Sequence, residues 1–163
     1  MCPGDRANIF EAAEALLDTN SNRGDMSGGV EPVLCSSFEV DQKNLTITYN
    51  IRHGVFFSDG SELTSDVAQW NIQQCIDANN MPYIDFFKDF RTPDKYTLVV
   101  DMKQYNNQMA ATWGWWTAMY SKKAWDDASG GDLAKGKEWA RAHLVGTGPF
   151  ILQDFQPDVS LTW

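Results

Sequence analysis

The amino-acid sequence predicts an α+β domain, mixed α/β in content, with an antiparallel-rich sheet and flanking helices. Three observations carry this. Residues 45–52 alternate strictly, with Leu45, Ile47, Tyr49 and Ile51 on one face and Thr46, Thr48 and Asn50 on the other, the pattern of a half-buried antiparallel strand. Residues 86–90 and 96–102 read as two further strands joined by the turn Arg91-Thr92-Pro93-Asp94-Lys95,. From Thr64 to about Asp77 the period changes to helical, with Ala68, Ile72, Cys75 and Ile76 on one apolar face and Trp70 on the opposite side,.

The remaining elements follow in order. Residues 8–18 read as a helix capped by Asn8, because Ile9, Ala12, Ala13, Leu16 and Leu17 recur at helical spacing,. Residues 19–29 form a polar Gly/Asn/Ser loop, and the Arg23-Gly24-Asp25 within it reads as a solvated turn,. A short helical turn is expected over residues 31–37, then a strand end at 38–41 and a turn at Gln42-Lys43-Asn44. Gly54 ends the alternating strand, and Ser58-Asp59-Gly60 makes a turn,. Thr64 caps the helix, with Asp66 in its first turn where the dipole favours an acid,. Asn79-Asn80-Met81-Pro82 is a break. A short helix is expected over residues 104–113, with Trp113-Gly114-Trp115-Trp116 at and beyond its end. Ser121 caps a helix over 122–128, Gly130-Gly131-Asp132 punctuates, and a last helix runs over 133–144. After the loop Gly146-Thr147-Gly148-Pro149, residues 150–155 and 159–163 are the arms of a hairpin.

With 163 residues the chain holds one core, not two full domains,. Its net charge of −9 disfavours nucleic acid as a partner,. No apolar run reaches the length of a membrane span,. Residues 1–8 carry no basic segment followed by an apolar one, so no signal peptide is expected there,. Chemistry is not indicated. His53 and His143 lie far apart with no ligand-spaced partner, so no metal site and no cofactor are expected,. No nucleophile–base pairing or nucleophile elbow is present, so no catalytic residue is assigned,. Gly146-Thr147-Gly148 lacks the lysine of a phosphate loop. Asn44-Leu45-Thr46 fits a glycosylation sequon, which has meaning only in a eukaryotic secretory protein,. Cys2, Cys35 and Cys75 fit neither zinc nor redox spacing,. A Cys35–Cys75 bridge is open, while Cys75 reads better as a small apolar core residue,.

The order of several motifs resembles the family 5 extracellular solute-binding proteins of ABC importers, the group that includes oligopeptide-, dipeptide- and nickel-binding members. The most specific is Ile51-Arg52-His53-Gly54-Val55-Phe56-Phe57-Ser58-Asp59-Gly60. Others are Ser37-Phe38-Glu39-Val40 with Leu45-Thr46-Ile47-Thr48-Tyr49, Leu63-Thr64 leading to Trp70-Asn71, Asp94-Lys95-Tyr96-Thr97-Leu98, Tyr120-Ser121-Lys122-Lys123-Ala124-Trp125, and Val145-Gly146-Thr147-Gly148-Pro149-Phe150. The likeness runs over residues 8–163.

The resemblance implies a lobe of the periplasmic-binding-protein type II fold, with residues 1–163 a single partial domain: the insertion subdomain of the first lobe plus parts of its base, the second lobe lying outside it. It implies substrate capture for an importer rather than catalysis, an extracytoplasmic place in the periplasm or on the outer face of a bacterial membrane as part of a longer, lipoprotein-type precursor, and a membrane permease as partner. The ligand is expected to be a small peptide or an oligosaccharide; nickel is disfavoured, since there is no His cluster. The ligand-side candidates are Tyr83, Trp113, Trp115 and Trp116, because three Trp within four residues are hard to bury together in one small subdomain,. A lobe alone leaves most of a ligand wet, so binding by this chain alone is expected to be weak. Open strand edges invite an edge-paired or swapped dimer. A structural or interaction role for the same fold fragment is the alternative.

Overall fold

The computed structural model describes residues 12–19, 29–156 and 159–163. The expected Asn8 cap and the Arg23-Gly24-Asp25 turn lie outside the described residues.

A four-stranded antiparallel sheet organises the rest. Its strands are β3 (Cys35–Asp41), β4 (Thr46–Ile51), β5 (Phe87–Asp94) and β6 (Thr97–Met102), in the order β3-β4-β6-β5. The alternation in β4 decides which face is buried: Ile47, Tyr49 and Ile51 are sealed in the core while Thr46, Thr48 and Asn50 are only partly covered. Register brings Ile47 opposite Val100 and Tyr49 opposite Leu98, and both β6 partners are fully buried. On this face packs helix α1 (Ser65–Asp77), through Ala68, Ile72 and Cys75. Thr64 caps α1 by accepting from the Val67 amide, with Asp66 in the first turn, as expected. Ser65 fastens that end to the β5–β6 turn, its hydroxyl donating to the Asp94 carbonyl at 2.6 Å.

Two expectations are corrected. The described part of residues 8–18 is extended, not helical: Leu17–Thr19 is strand β1, pairing antiparallel with β2 (Val30–Pro32), and Ala15 bridges Ala118. Leu16 and Leu17 are both fully buried. A segment buried on both faces loses its alternation and carries apolar residues that also fit a helical period. Likewise residues 31–37 form no helical turn but run as β2 into β3. The amides of Val33 and Cys35 both donate to the Leu16 carbonyl, at 3.0 and 3.2 Å, so long-range pairing overrides local preference,.

Helix α2 (Met109–Trp116) lies over the same core. It starts later than expected and contains the whole Trp113-Gly114-Trp115-Trp116 run. The Tyr49 hydroxyl donates to the Ala110 carbonyl at 2.5 Å, joining β4 to α2. A Cβ on Gly114 would lie 2.4 Å from Leu17 Cδ1, so glycine lets α2 sit against β1. Ser121 caps helix α3 (Lys122–Ser129), as expected. The following helix, α4 (Leu133–Trp139), is shorter than expected. Trp70 packs edge-on against Trp125 of α3, with ring centres 5.7 Å apart, which accounts for its place opposite the apolar face of α1. A hairpin of β7 (Asp154–Gln156) and β8 (Ser160–Thr162) ends the described chain.

Cys35 and Cys75 are both buried thiols and form no bridge. Burial pushes the Cys35 thiol up to about 11, against the nearby charge of Arg52, which leaves it unreactive.

Candidate ligand-binding site

The expected ligand-side residues converge on one place, the joint between α2 and the loop after α1. That loop, residues 78–83, is bracketed by two non-glycine residues in left-handed conformation, Asn79 (φ 50°) and Tyr83 (φ 63°). Such backbone persists only where its surroundings hold it. Here α2 does the holding. The Trp113 indole donates to the Pro82 carbonyl at 2.7 Å, and the Trp116 indole donates to the Asn80 carbonyl at 2.9 Å. The Tyr83 hydroxyl donates to Oε1 of Gln108, the residue before α2. The loop therefore runs antiparallel along one flank of the helix.

The four candidates divide. Trp113 is fully buried, packed against Phe87 and Phe90 at ring-centre distances of 5.5 and 6.3 Å; its ring belongs to the core and underpins the site. Trp115 and Trp116 are half-buried and meet edge-on at 5.3 Å. Tyr83 is half-buried and meets Phe86 edge-on at 6.2 Å. A helical period explains the division: Trp113 and Gly114 are buried with Met109 and Ala110, while Trp115 lies on the other side of the helix and is half-buried, packed at the margin of the core,. Asn80 and Gln108 were not among the expected site residues. The polarity of the break after α1 was the available signal, but only the fold shows that it lies against α2.

The segment after α2 is anchored on two sides. Asn71, buried in α1, donates to the Tyr120 carbonyl and accepts from the Tyr120 amide, both at 3.0 Å. Asp59, in the Ser58-Asp59-Gly60 turn, accepts from the Ser121 hydroxyl at 2.5 Å and from the Ser61 amide and hydroxyl at 2.9 and 2.6 Å. Partial burial raises its carboxyl, but the hydrogen bonds from Ser121 and Ser61 outweigh this and hold it below the ordinary carboxylate value. Among the described residues no group of three or more His, Cys, Asp or Glu could hold a metal ion.

Residues 29–163 match the middle region of the bacterial extracellular solute-binding proteins, family 5. The chain belongs to that family. A curated relative, heme-binding protein A of Haemophilus influenzae, is 26% identical over 161 residues, covering 84% of this chain and 28% of the relative.

Among solved structures, this family 5 chain superimposes with a TM-score of 0.78 on the ABC transporter-associated periplasmic binding protein DppA of Helicobacter pylori in complex with the peptide STSA, at 18% identity, covering 98% of this chain and 35% of that one. The binding protein MoaA of A. tumefaciens R10, in complex with mannopinic acid, gives a TM-score of 0.74 at 20% identity, covering 94% and 30%. At these identities the structures speak for the fold: a mixed helix and antiparallel-sheet portion of a periplasmic-binding-protein lobe. The chain spans about a third of the length of these relatives or less. The family is one of binding proteins, not of enzymes.

Proposed function

We propose that this chain forms part of the first lobe of the substrate-binding component of an ABC importer, its insertion subdomain with parts of its base, and contributes one wall of the solute site. The whole protein would work outside the cytoplasmic membrane, capturing a small solute and delivering it to the permease. The observation that carries the site is the clamped joint in which Trp113 and Trp116 hold the residue 78–83 loop along α2, with Tyr83 at the Gln108 end of the helix and the half-buried Trp115 and Trp116 at the other. Trp113 supports that surface from below.

Peptides are the favoured ligand class. Aromatic rings offer broad apolar contact to side chains, and one of the solved relatives holds a peptide,. Sugar rings stack on the same kind of surface, and an oligosaccharide is the second class.

Calorimetry on the 163-residue chain with short peptides tests the one-wall reading. A ligand wetted on one side binds at about the millimolar level or weaker. Micromolar or tighter binding would show that the chain encloses its ligand unaided and would overturn the reading.

A further inference from the structure

We propose that Met81 is an oxidation site, at which a peroxide converts the thioether to a sulfoxide whose oxygen takes the hydrogen bond of the buried Thr117 hydroxyl. The inference concerns the packing of the joint between α2 and the residue 78–83 loop and does not depend on a ligand. Met81 is the anchor of that loop. Ala78, Asn79 and Asn80 are exposed and Pro82 and Tyr83 are half-buried, whereas Met81 is buried as part of the core. The backbone carbonyls on either side of it, those of Asn80 and Pro82, accept from the Trp116 and Trp113 indoles. The seat of this one side chain and the seat of the loop are therefore coupled.

Thr117, the residue after α2, supplies the second observation. It is 2% exposed, and among the described residues its hydroxyl donates to two sulfur atoms, Cys75 Sγ at 3.7 Å and Met81 Sδ at 4.0 Å. Sulfur is a weak acceptor. A sealed hydroxyl ordinarily finds an oxygen or nitrogen partner, so this donor is underused. An oxygen added to Met81 Sδ on the Thr117 side lies one S–O bond closer to it, within reach of the about 2.5–3.0 Å of a full O–H···O bond.

The step balances with hydrogen peroxide as the oxidant. The sulfur lone pair attacks one peroxide oxygen, an S–O bond forms and the O–O bond breaks. The departing hydroxide takes the proton of the transferred oxygen and leaves as water, so the thioether is oxidised and the peroxide reduced. Exposure ranks the described methionines: Met81 is 7% exposed, Met102 2%, and Met109 and Met119 0%. The product is larger and polar. Its oxygen draws the Thr117 hydroxyl from Cys75, and its bulk overfills the seat of Met81. The loop then lifts, and the indole bonds to Asn80 and Pro82 lengthen.

The test exposes the folded 163-residue chain to hydrogen peroxide and follows each methionine by peptide-resolved mass spectrometry. Met81 should gain one oxygen at least about threefold faster than Met102, Met109 or Met119, and the Trp113 and Trp116 indole N–H signals should shift as it does. Met81→Leu, which conserves volume, should hold both signals still under the same treatment. In urea, oxidation should lower the folded-to-unfolded ratio of Thr117→Val about 2–10-fold further than that of the parent, the range of one net hydrogen bond, while Thr117→Ser should follow the parent. Equal rates for the four methionines, unmoved indole signals, or an equal effect of oxidation in parent and Thr117→Val would overturn the site. If Thr117→Val does not fold, the methionine rates and the indole signals decide it.

Discussion

The Ser121 hydroxyl donates to the Asp59 carboxylate at 2.5 Å across 62 residues of sequence, and the same oxygen caps α3 by accepting from the Ala124 amide at 3.0 Å. One serine thus ties the Ser58-Asp59-Gly60 turn to the segment that leaves α2. Asp59→Asn weakens a charge-assisted bond that is partly exposed, and should cost about 1 kcal/mol at neutral pH. The pH dependence has a definite sign. Because the folded carboxyl titrates below its ordinary value of 3.8, its stabilisation is fully present above that pH and is lost as pH falls through the lower, folded value. Melting curves of parent and Asp59→Asn should therefore differ most above about pH 4 and converge toward about pH 2. A gap that widens on acidification contradicts the assignment.

Asn71 is the second anchor of that segment. Its carboxamide faces the Tyr120 backbone, donating to one group and accepting from the other. Asn71→Ala leaves a buried amide and carbonyl without it and should cost about 2–4 kcal/mol. Asn71→Asp should be no better, since a carboxylate oxygen would face the carbonyls of Val67 and Tyr120, to which the amide now donates. Urea unfolding midpoints measure both; an Asp variant as stable as the parent would contradict this geometry.

The glycines separate two physical demands. A Cβ on Gly146 would meet the Ala12 carbonyl oxygen at 2.0 Å and Ala13 Cα at 2.7 Å, both backbone atoms that cannot rotate away. Gly54 has a φ of +71° and nothing within 4 Å of that position. Gly54→Ala should cost about 1–2 kcal/mol from conformation alone. Gly146→Ala should cost about 3 kcal/mol or more through overpacking and loss of the docked loop. Thermal denaturation of the pair checks the order, and the reverse order would contradict it.

Much of this was legible in the sequence, for identifiable reasons. The alternation of β4, the Thr64 and Ser121 caps and the apolar face of α1 are one-sided patterns, and one-sided burial leaves a period to read. Leu16 and Leu17 are covered on both sides, so their neighbourhood kept no strand period and read as helix. Pro32 obscured β2, although proline is tolerated on a short edge strand,. The Trp cluster was legible as a site candidate from composition. That Trp113 is fully buried while Trp115 is only half-covered follows from α2 extending to residue 116. The partnership of Tyr83 with Gln108 joins residues 25 apart and no local pattern announces it.

The apolar residues of the last segment bear on self-association, and we propose an edge-paired or swapped dimer. Ile151 is 59% exposed and Val159 78% exposed, around the β7–β8 hairpin. β3 and β5 are the outer strands of the four-stranded sheet. Exposed apolar edges pair between chains. Sedimentation velocity of the 163-residue chain should show a concentration-dependent dimer that Val159→Lys weakens. A monomer at all concentrations would remove this expectation.

Tyr83, Trp115 and Trp116 are proposed to form the ligand-facing surface, with Trp113 beneath it. Indole N–H resonances of the seven tryptophans, assigned by single Trp→Phe variants, test it most directly. Titration with Ala-Tyr-Ala should move the signals of Trp115 and Trp116 well beyond that of Trp113. Shifts confined to Trp70, Trp125 or Trp139, or none at millimolar peptide, would contradict it.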